Sequence, residues 1–360
     1  MRLFECRACQ HWLSFDDMQC AGCGREAGYS PAEVALVSLD DAGEDEAGQR
    51  LVVAHPGGGP LYRHCDNRRY GTCNWLIPVS SAETLCLCCR TNHTIPDLSS
   101  DVFAERWRQI EIAKHRLFYS LLRLGLPIPN RADAPQTGLS FEFLADSHAE
   151  RIMTGHDNGV ITINIAEADS VERERARSSM QEPYRTLLGH FRHEIGHYYW
   201  DRLVRDGGRI EAFRALFGDE SFDYQTALQQ YYGSSPPANW RERYVSQYAT
   251  AHAWEDFAET FAHYLHIVDT LETAFAFGLR IRPHKAQQDL ATTINFDPYQ
   301  RVPFVSIMEC WTPLTVAVNA LNRSMGQPDL YPFEPGPGVI DKLAFIDELI
   351  RGQEGQQQAA

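Results

Sequence analysis

Nine of the ten cysteines in this chain lie within its first 89 residues, and only Cys310 lies outside them. That asymmetry constrains the fold more than any other feature. "CRACQHWLSFDDMQCAGCG" places Cys6, Cys9, Cys20 and Cys23 as two C-x2-C pairs separated by ten residues. Each close pair can form a knuckle whose thiolates face one ion, and two knuckles complete a tetrahedral S4 site suited to Zn²⁺. Without the ion, so short a segment could not bury enough surface to fold. A second, less regular set follows. Cys86 and Cys89 in "CLCCR" form another C-x2-C pair, and Cys65 and Cys73 supply two further thiolates. Cys88 is then left over, and His64 is an alternative ligand. Both sets are expected to be structural zinc sites, because protein fills all four positions.

The cysteines thus define a zinc-ribbon module over residues 1–98. The remainder, 99–351, reads as a mostly helical domain with a small β-sheet, and 352–360 as a disordered tail. The fold class is α+β. Residues 101–125 carry Phe103, Trp107, Ile110, Leu117, Leu121 and Leu124 near one helical face, with Ser100 or Asp101 as cap. "LSFEFL" (139–144) and "NGVITINIA" (158–166) read as strands, the second after a turn at "HDNG". Further helices are expected over 184–205, where Pro183 suits the first turn, and over about 250–276 and 339–351. "DDAGEDEAGQR" (40–50) reads as an exposed acidic loop and "HPGGGP" (55–60) as a turn.

Charge narrows the partners. The chain has a net charge of −15, and residues 1–98 carry eight Arg and no Lys against thirteen Asp and Glu. Phosphate binding needs a concentrated basic face, so nucleic acid is not the expected partner despite the short Arg63, Arg68, Arg69 cluster. No continuous apolar run reaches the ~18 residues of a membrane span, and the N-terminus lacks the pattern of a secretory signal. The expected compartment is the cytoplasm.

The chemistry concentrates in "HFRHEIGHYYWDR", residues 190–202. On a helix, residues four apart share a face, so His193 and His197 can reach one ion while Glu194 lies beside them. In the H-E-x-x-H pattern the two imidazoles hold Zn²⁺ and the glutamate takes a proton from water. Leu187, Leu188, Phe191 and Ile195 make the helix largely buried, where unpartnered histidines and a carboxylate would be costly. A catalytic zinc site needs a third protein ligand. The metzincin spacing fails, since Trp200 and Leu203 stand at its glycine and ligand positions, and Asp201 points one turn further along the same helix. "YATAHAWEDFAETFAHYLH" (248–266) offers Glu255 and Glu259 four apart on one face, with Phe257, Ala258, Phe261 and Leu265 on the apolar side.

At these residues the sequence resembles the gluzincin metallopeptidases, whose later helix can take the form E-x-F-A-E-x-F. The resemblance implies Glu255 as third ligand and Glu259 as the carboxylate that orients a histidine ligand. It also implies an oxyanion-stabilising tyrosine about two helical turns before the ligand, at Tyr248, with Tyr244 as the fallback. "NGVITIN" would be the edge strand on which an extended peptide pairs. His252, His263 and His266 read as helix-surface or packing histidines. Over nearly the whole chain, the cysteine pattern together with "CNWLIP", "CRTNHTIPDL", "HEIGHYYWDRL", "WEDFAETFAHYLH" and "LNRSMGQPDLYPF" resembles the bacterial family of zinc-ribbon, zinc-binding metallopeptidases. The expectation is a zinc-dependent peptidase with one catalytic and two structural Zn²⁺, acting on a peptide or protein, with the ribbon available to a protein partner. The rival expectation is a ribbon adaptor whose peptidase-like domain binds peptides with little turnover.

Overall fold

The computed structural model describes residues 1–147, 151–180, 184–284 and 290–357. They form two units, one of Met1–Arg123 with Pro127–Arg173, the other of Leu124–Leu126 with the chain from Glu174 onward. The first begins with a short hairpin, β1 (Phe4–Glu5) and β2 (Trp12–Leu13). An antiparallel meander follows: β3 (Ala27–Ser30), β4 (Ala35–Glu44), β5 (Arg50–Ala54), β6 (Leu61–His64) and β7 (Leu76–Pro78). Its register sets Leu39 opposite Ala54 and Val52 opposite Tyr62, and these join Val37 and Leu76 in one apolar cluster.

The acidic stretch at 40–50 is not a loop throughout. β4 continues to Glu44, because neighbouring side chains engage its carboxylates: Asp40 with His55 (2.6 Å) and Arg25, Asp41 with Arg50 (3.0 Å). The "HPGGGP" segment does join two strands, β5 and β6. The small basic cluster is engaged within the unit. Arg68 donates to the carbonyls of Met18 and Ala27, Arg63 donates to Gln49, and Arg69 lies over the Tyr70 ring.

A second sheet has the order β10 (Gly155–Asp157), β11 (Val160–Asn164), β9 (Ser140–Leu144), β8 (Asn92–Thr94). Asn158 and Gly159 take φ of 47° and 84°, the left-handed conformation that a two-residue hairpin turn requires. That turn folds β10 back onto β11. The strand in "NGVITIN" is therefore paired on both sides, with β9 and β10, and is not an edge. The α1 helix (Asp101–Arg123) starts at Ser100, whose Oγ accepts from Phe103 N, and buries Trp107, Ile110, Leu117 and Leu121 as the periodicity predicts.

The second unit is built from helices. α2 (Ser170–Met180) leads into it. Pro183 lies outside the described residues. α3 (Leu187–Tyr199) is capped by Thr186, which accepts from Gly189 N, and runs on as a wider π-helical turn over Trp200–Arg205. Then come α4 (Ile210–Phe217), α5 (Tyr224–Gly233), α6 (Ala253–Ala276), α7 (Phe304–Ser324) and α8 (Pro337–Gln357). The last helix continues six residues past the expected end at 351.

Of the described helices, α7 alone is apolar and long enough to cross a membrane by composition, a feature that a search for unbroken apolar runs passes over. Ile307, Cys310, Trp311 and Leu314 are buried in the unit, while Val305, Val316 and Leu321 are exposed.

α3 and α6 meet at Gly196. A Cβ there would lie 2.9 Å from Ala258 Cα and 3.1 Å from Ala258 O. Glycine thus lets two backbones come close enough for side chains from both helices to converge. Tyr199 stacks on Phe261 beside this crossing.

Candidate metal centres

Among the described residues, four groups of side chains bring three or more ligand atoms within 4.8 Å of one another, and three of them are the expected sites. The first collects Cys6, Cys9, Cys20 and Cys23, with Sγ–Sγ separations of 3.7 Å for Cys6–Cys23 and 3.6 Å for Cys9–Cys20. Zn–S bonds of ~2.3 Å in a tetrahedron give edges of about 3.8 Å, so the sulfurs already have the spacing of an S4 site. Each knuckle closes on a residue of positive φ directly after its second cysteine, Gln10 (62°) and Gly24 (74°). Gln10 N then bonds Cys6 O, and Gly24 N bonds Cys20 O.

The second group is Cys65, Cys73, Cys86 and Cys89, all buried, with Cys73 and Cys86 sulfurs 3.6 Å apart. Trp75 N donates to Cys73, Cys86 N to Cys65 and Cys89 N to Cys86, each at 3.4 Å. Burial pushes the Cys73 and Cys86 thiols up. A cation at the centre is what lets four sulfurs this close be thiolates. His64 is not part of the group. Its Nε2 lies 3.3 Å from Glu26 Oε2, so the substitute-ligand option falls away. Changing Cys6 and Cys9 together to Ser is expected to remove one zinc ion and unfold residues 1–30. Native mass spectrometry with hydrogen exchange checks this, and a full metal content in the variant contradicts the first site.

The third group is His193, His197 and Glu255. His193 Nε2 and His197 Nε2 are 3.2 Å apart, and Glu255 Oε2 lies 3.0 Å from the first and 3.5 Å from the second. Ligands at ~2.0–2.1 Å around a tetrahedral ion sit about 3.3 Å apart. Glu255 Oε2 is buried and accepts no hydrogen bond, an arrangement that is costly unless a cation sits there. The donor set and its spacing fit zinc.

The surroundings fix these ligands. Glu259 Oε1 is 2.7 Å from His193 Nδ1, and Ser246 Oγ donates to Glu259 Oε2 at 2.6 Å. Burial works against a charge on Glu259, but the bonds from His193 and Ser246 outweigh it and hold the carboxyl at about 2. An ionised carboxylate only accepts, so His193 carries its proton on Nδ1 and turns the Nε2 lone pair toward the ion position. Tyr224 Oη donates to Glu255 Oε1 at 2.5 Å, leaving Oε2 as the ligand atom. The Trp254 ring covers the His197 ring at 3.7 Å. Sequence reading missed Tyr224, Ser246 and Trp254. Trp254 adjoins Glu255, but Tyr224 comes from α5, thirty-one residues earlier, with no local signal.

Glu194 is buried, and burial pushes its carboxyl up to about 7 against the opposing pull of His193. Tyr248 does not lie on a continuation of α6. It sits in a separate 3₁₀ turn, Tyr248–Thr250, because His252 caps α6 by accepting from Trp254 N. The turn still brings the Tyr248 ring to 5.9 Å from His193, and burial beside Glu255 keeps the phenol protonated. Tyr244 is held elsewhere, under Lys342 Nζ. Asp201 bonds Arg205 at 2.6 Å. His252, His263 and His266 bond Phe222 O, Tyr331 Oη and Arg192 respectively, all structural contacts.

Tyr224→Phe removes the hydroxyl that bonds Glu255 and also contacts Tyr248, and leaves the ring in place. It is expected to weaken zinc binding ~10-fold or more, as for other partners of metal ligands, with the fold intact. A chelator-competition titration checks this, and an unchanged affinity would show that Glu255 needs no such tether.

A ribbon with two S4 cysteine groups and a helical unit with a His–His–Glu centre define a zinc-binding protein of metallopeptidase type. Residues 103–349 match the family described as "Putative zinc-binding metallo-peptidase", and residues 3–100 match a zinc-ribbon domain family. The chain belongs to that metallopeptidase family. Uncharacterised proteins of Mycobacterium bovis and Mycobacterium tuberculosis are each 40% identical to it over 353 residues, covering 97% of this chain and 95% of theirs. No solved structure matches it.

Proposed function

We propose that the protein is a gluzincin-type zinc peptidase that hydrolyses peptide bonds, with one zinc at His193, His197 and Glu255 and two in the ribbon. The single observation that carries this reading is the triangle of Nε2, Nε2 and Oε2 atoms beside a buried glutamate that is not itself a ligand. Zinc in that position supplies Lewis acidity toward water and the scissile carbonyl.

The chain's own residues do the rest. Glu194 accepts the proton of the attacking water and returns one to the leaving amine. A carboxyl that burial holds near neutrality suits both transfers. Tyr248, a protonated phenol next to His193, donates to the developing oxyanion. Glu259 and Ser246 keep His193 in one tautomer, and Tyr224 keeps Glu255 in one orientation. Eight cysteines given to metal must stay reduced, and a reducing compartment such as the cytoplasm suits that requirement.

The test is cleavage of a diverse peptide library, read by mass spectrometry, before and after removal of zinc by a chelator. Cleavage that stops on chelation and returns with Zn²⁺ supports the proposal. A zinc-loaded protein that cleaves nothing favours the peptide-binding adaptor instead.

A further inference from the structure

Cys88, the cysteine left over from the ribbon pairs, is fully buried against the inner side of α1 with Glu111 and His115. The three present one ligand atom each within 4.8 Å of one another. In two of them the remaining polar atom is already tied. His115 Nδ1 is 2.6 Å from the Glu111 carbonyl, which accepts its proton, so Nε2 is left facing the sulfurs, 3.8 Å from Cys89 Sγ. Glu111 Oε1 accepts from Asn92 Nδ2 at 2.8 Å and from Lys114 Nζ at 3.1 Å, and its Oε2 lies 3.9 Å from Cys89 Sγ and 3.8 Å from His115 Nδ1, whose proton goes to the Glu111 carbonyl.

This is how metal ligands are usually held: one atom anchored by the protein, the other aimed at a shared point. Cys89 sharpens the argument. As a ligand of the second tetrathiolate site it has no S–H to give, so its sulfur and Glu111 Oε2 are two acceptors facing each other in a buried space. Lys114 does not intervene, because it bonds the far oxygen, Oε1, and Asn92.

We infer that Cys88, Glu111 and His115 form a further metal site, with the Cys89 sulfur shared between it and the neighbouring tetrathiolate site. Sulfur, imidazole nitrogen and carboxylate oxygen around a buried tetrahedral position select a borderline-soft dication, and Zn²⁺ fits best. The site would clamp α1 to the ribbon knuckle. It is independent of the peptidase reading and rests on the assignment of Cys65, Cys73, Cys86 and Cys89 as a metal site.

The experiment is native mass spectrometry of the full-length protein equilibrated with Zn²⁺, comparing wild type with Cys88→Ser and His115→Gln. Visible spectra of the Co²⁺-loaded samples accompany it. His115→Gln leaves every cysteine in place, so it separates loss of this site from collapse of the ribbon. Each variant should carry one ion fewer than wild type, while the tetrathiolate charge-transfer bands persist. An unchanged ion count in either variant overturns the site. Loss of the tetrathiolate bands together with the ion also overturns it, because Cys88 and His115 would then only support the neighbouring zinc.

Discussion

Glu255→Ala is expected to leave the His193–His197 site unable to hold zinc, whereas Glu259→Ala lowers affinity only by the ~10–100-fold typical of an outer partner. The difference follows from where the two carboxylates sit on α6. Glu255 Oε2 reaches the ion position directly, 3.0 and 3.5 Å from the two imidazole nitrogens. Glu259 reaches only the far nitrogen of His193, at 2.7 Å, and acts through it. Without Glu255, two histidines remain, one short of the three protein ligands that such sites use. Without Glu259, the ligand set is complete but His193 can rotate or change tautomer. Asp201→Ala should change nothing at this site, because Asp201 is paired with Arg205. Chelator-competition titrations of the three variants decide the matter. Equal loss in Glu255→Ala and Glu259→Ala, or loss confined to Asp201→Ala, would contradict the assignment.

Much of this arrangement is written in local spacing. C-x2-C pairs and H-E-x-x-H place ligands through one turn or one helical face, so the cysteine groups and the His193–His197 pair can be read without a fold. Glu255 and Glu259 are legible as a pair on one helix face, but their meeting with α3 depends on Gly196, whose lack of a side chain matters only once Ala258 is opposite it. Non-local partners leave no such trace. Tyr224 approaches Glu255 from another helix, and Ser246 reaches Glu259 from the segment before the 3₁₀ turn.

The ribbon meander was hidden for a different reason. β4 carries a run of acidic residues that are engaged by Arg25, Arg50 and His55 from other parts of the unit, so its composition resembles a loop. The edge-strand expectation failed on a turn. "HDNG" (156–159) reads as the turn and Asn158-Gly159 as the start of the strand, whereas His156 and Asp157 belong with Gly155 to a strand of their own that covers β11, and Asn158-Gly159 make the turn. Cys88 stood out in the sequence as an unmatched cysteine. Its neighbours Glu111 and His115 lie on α1, more than twenty residues away, where only the fold could bring them together.

In the proposed reaction, Glu194 moves the proton of a zinc-dependent peptide hydrolysis. Glu194 adjoins a ligand in sequence, but on a 3.6-residue helix its side chain is rotated about 100° from that of His193, which leaves it free of the ligand role. Glu194→Gln keeps its size and hydrogen-bonding capacity and removes proton acceptance. The variant should retain the wild-type zinc content and melting temperature. The most direct measurement is therefore peptide-library cleavage by zinc-loaded wild type and Glu194→Gln side by side. In the variant, products seen with wild type should fall by at least the ~10²–10⁴-fold characteristic of lost acid–base catalysis. Equal cleavage by the two proteins, with zinc in place in both, would contradict it.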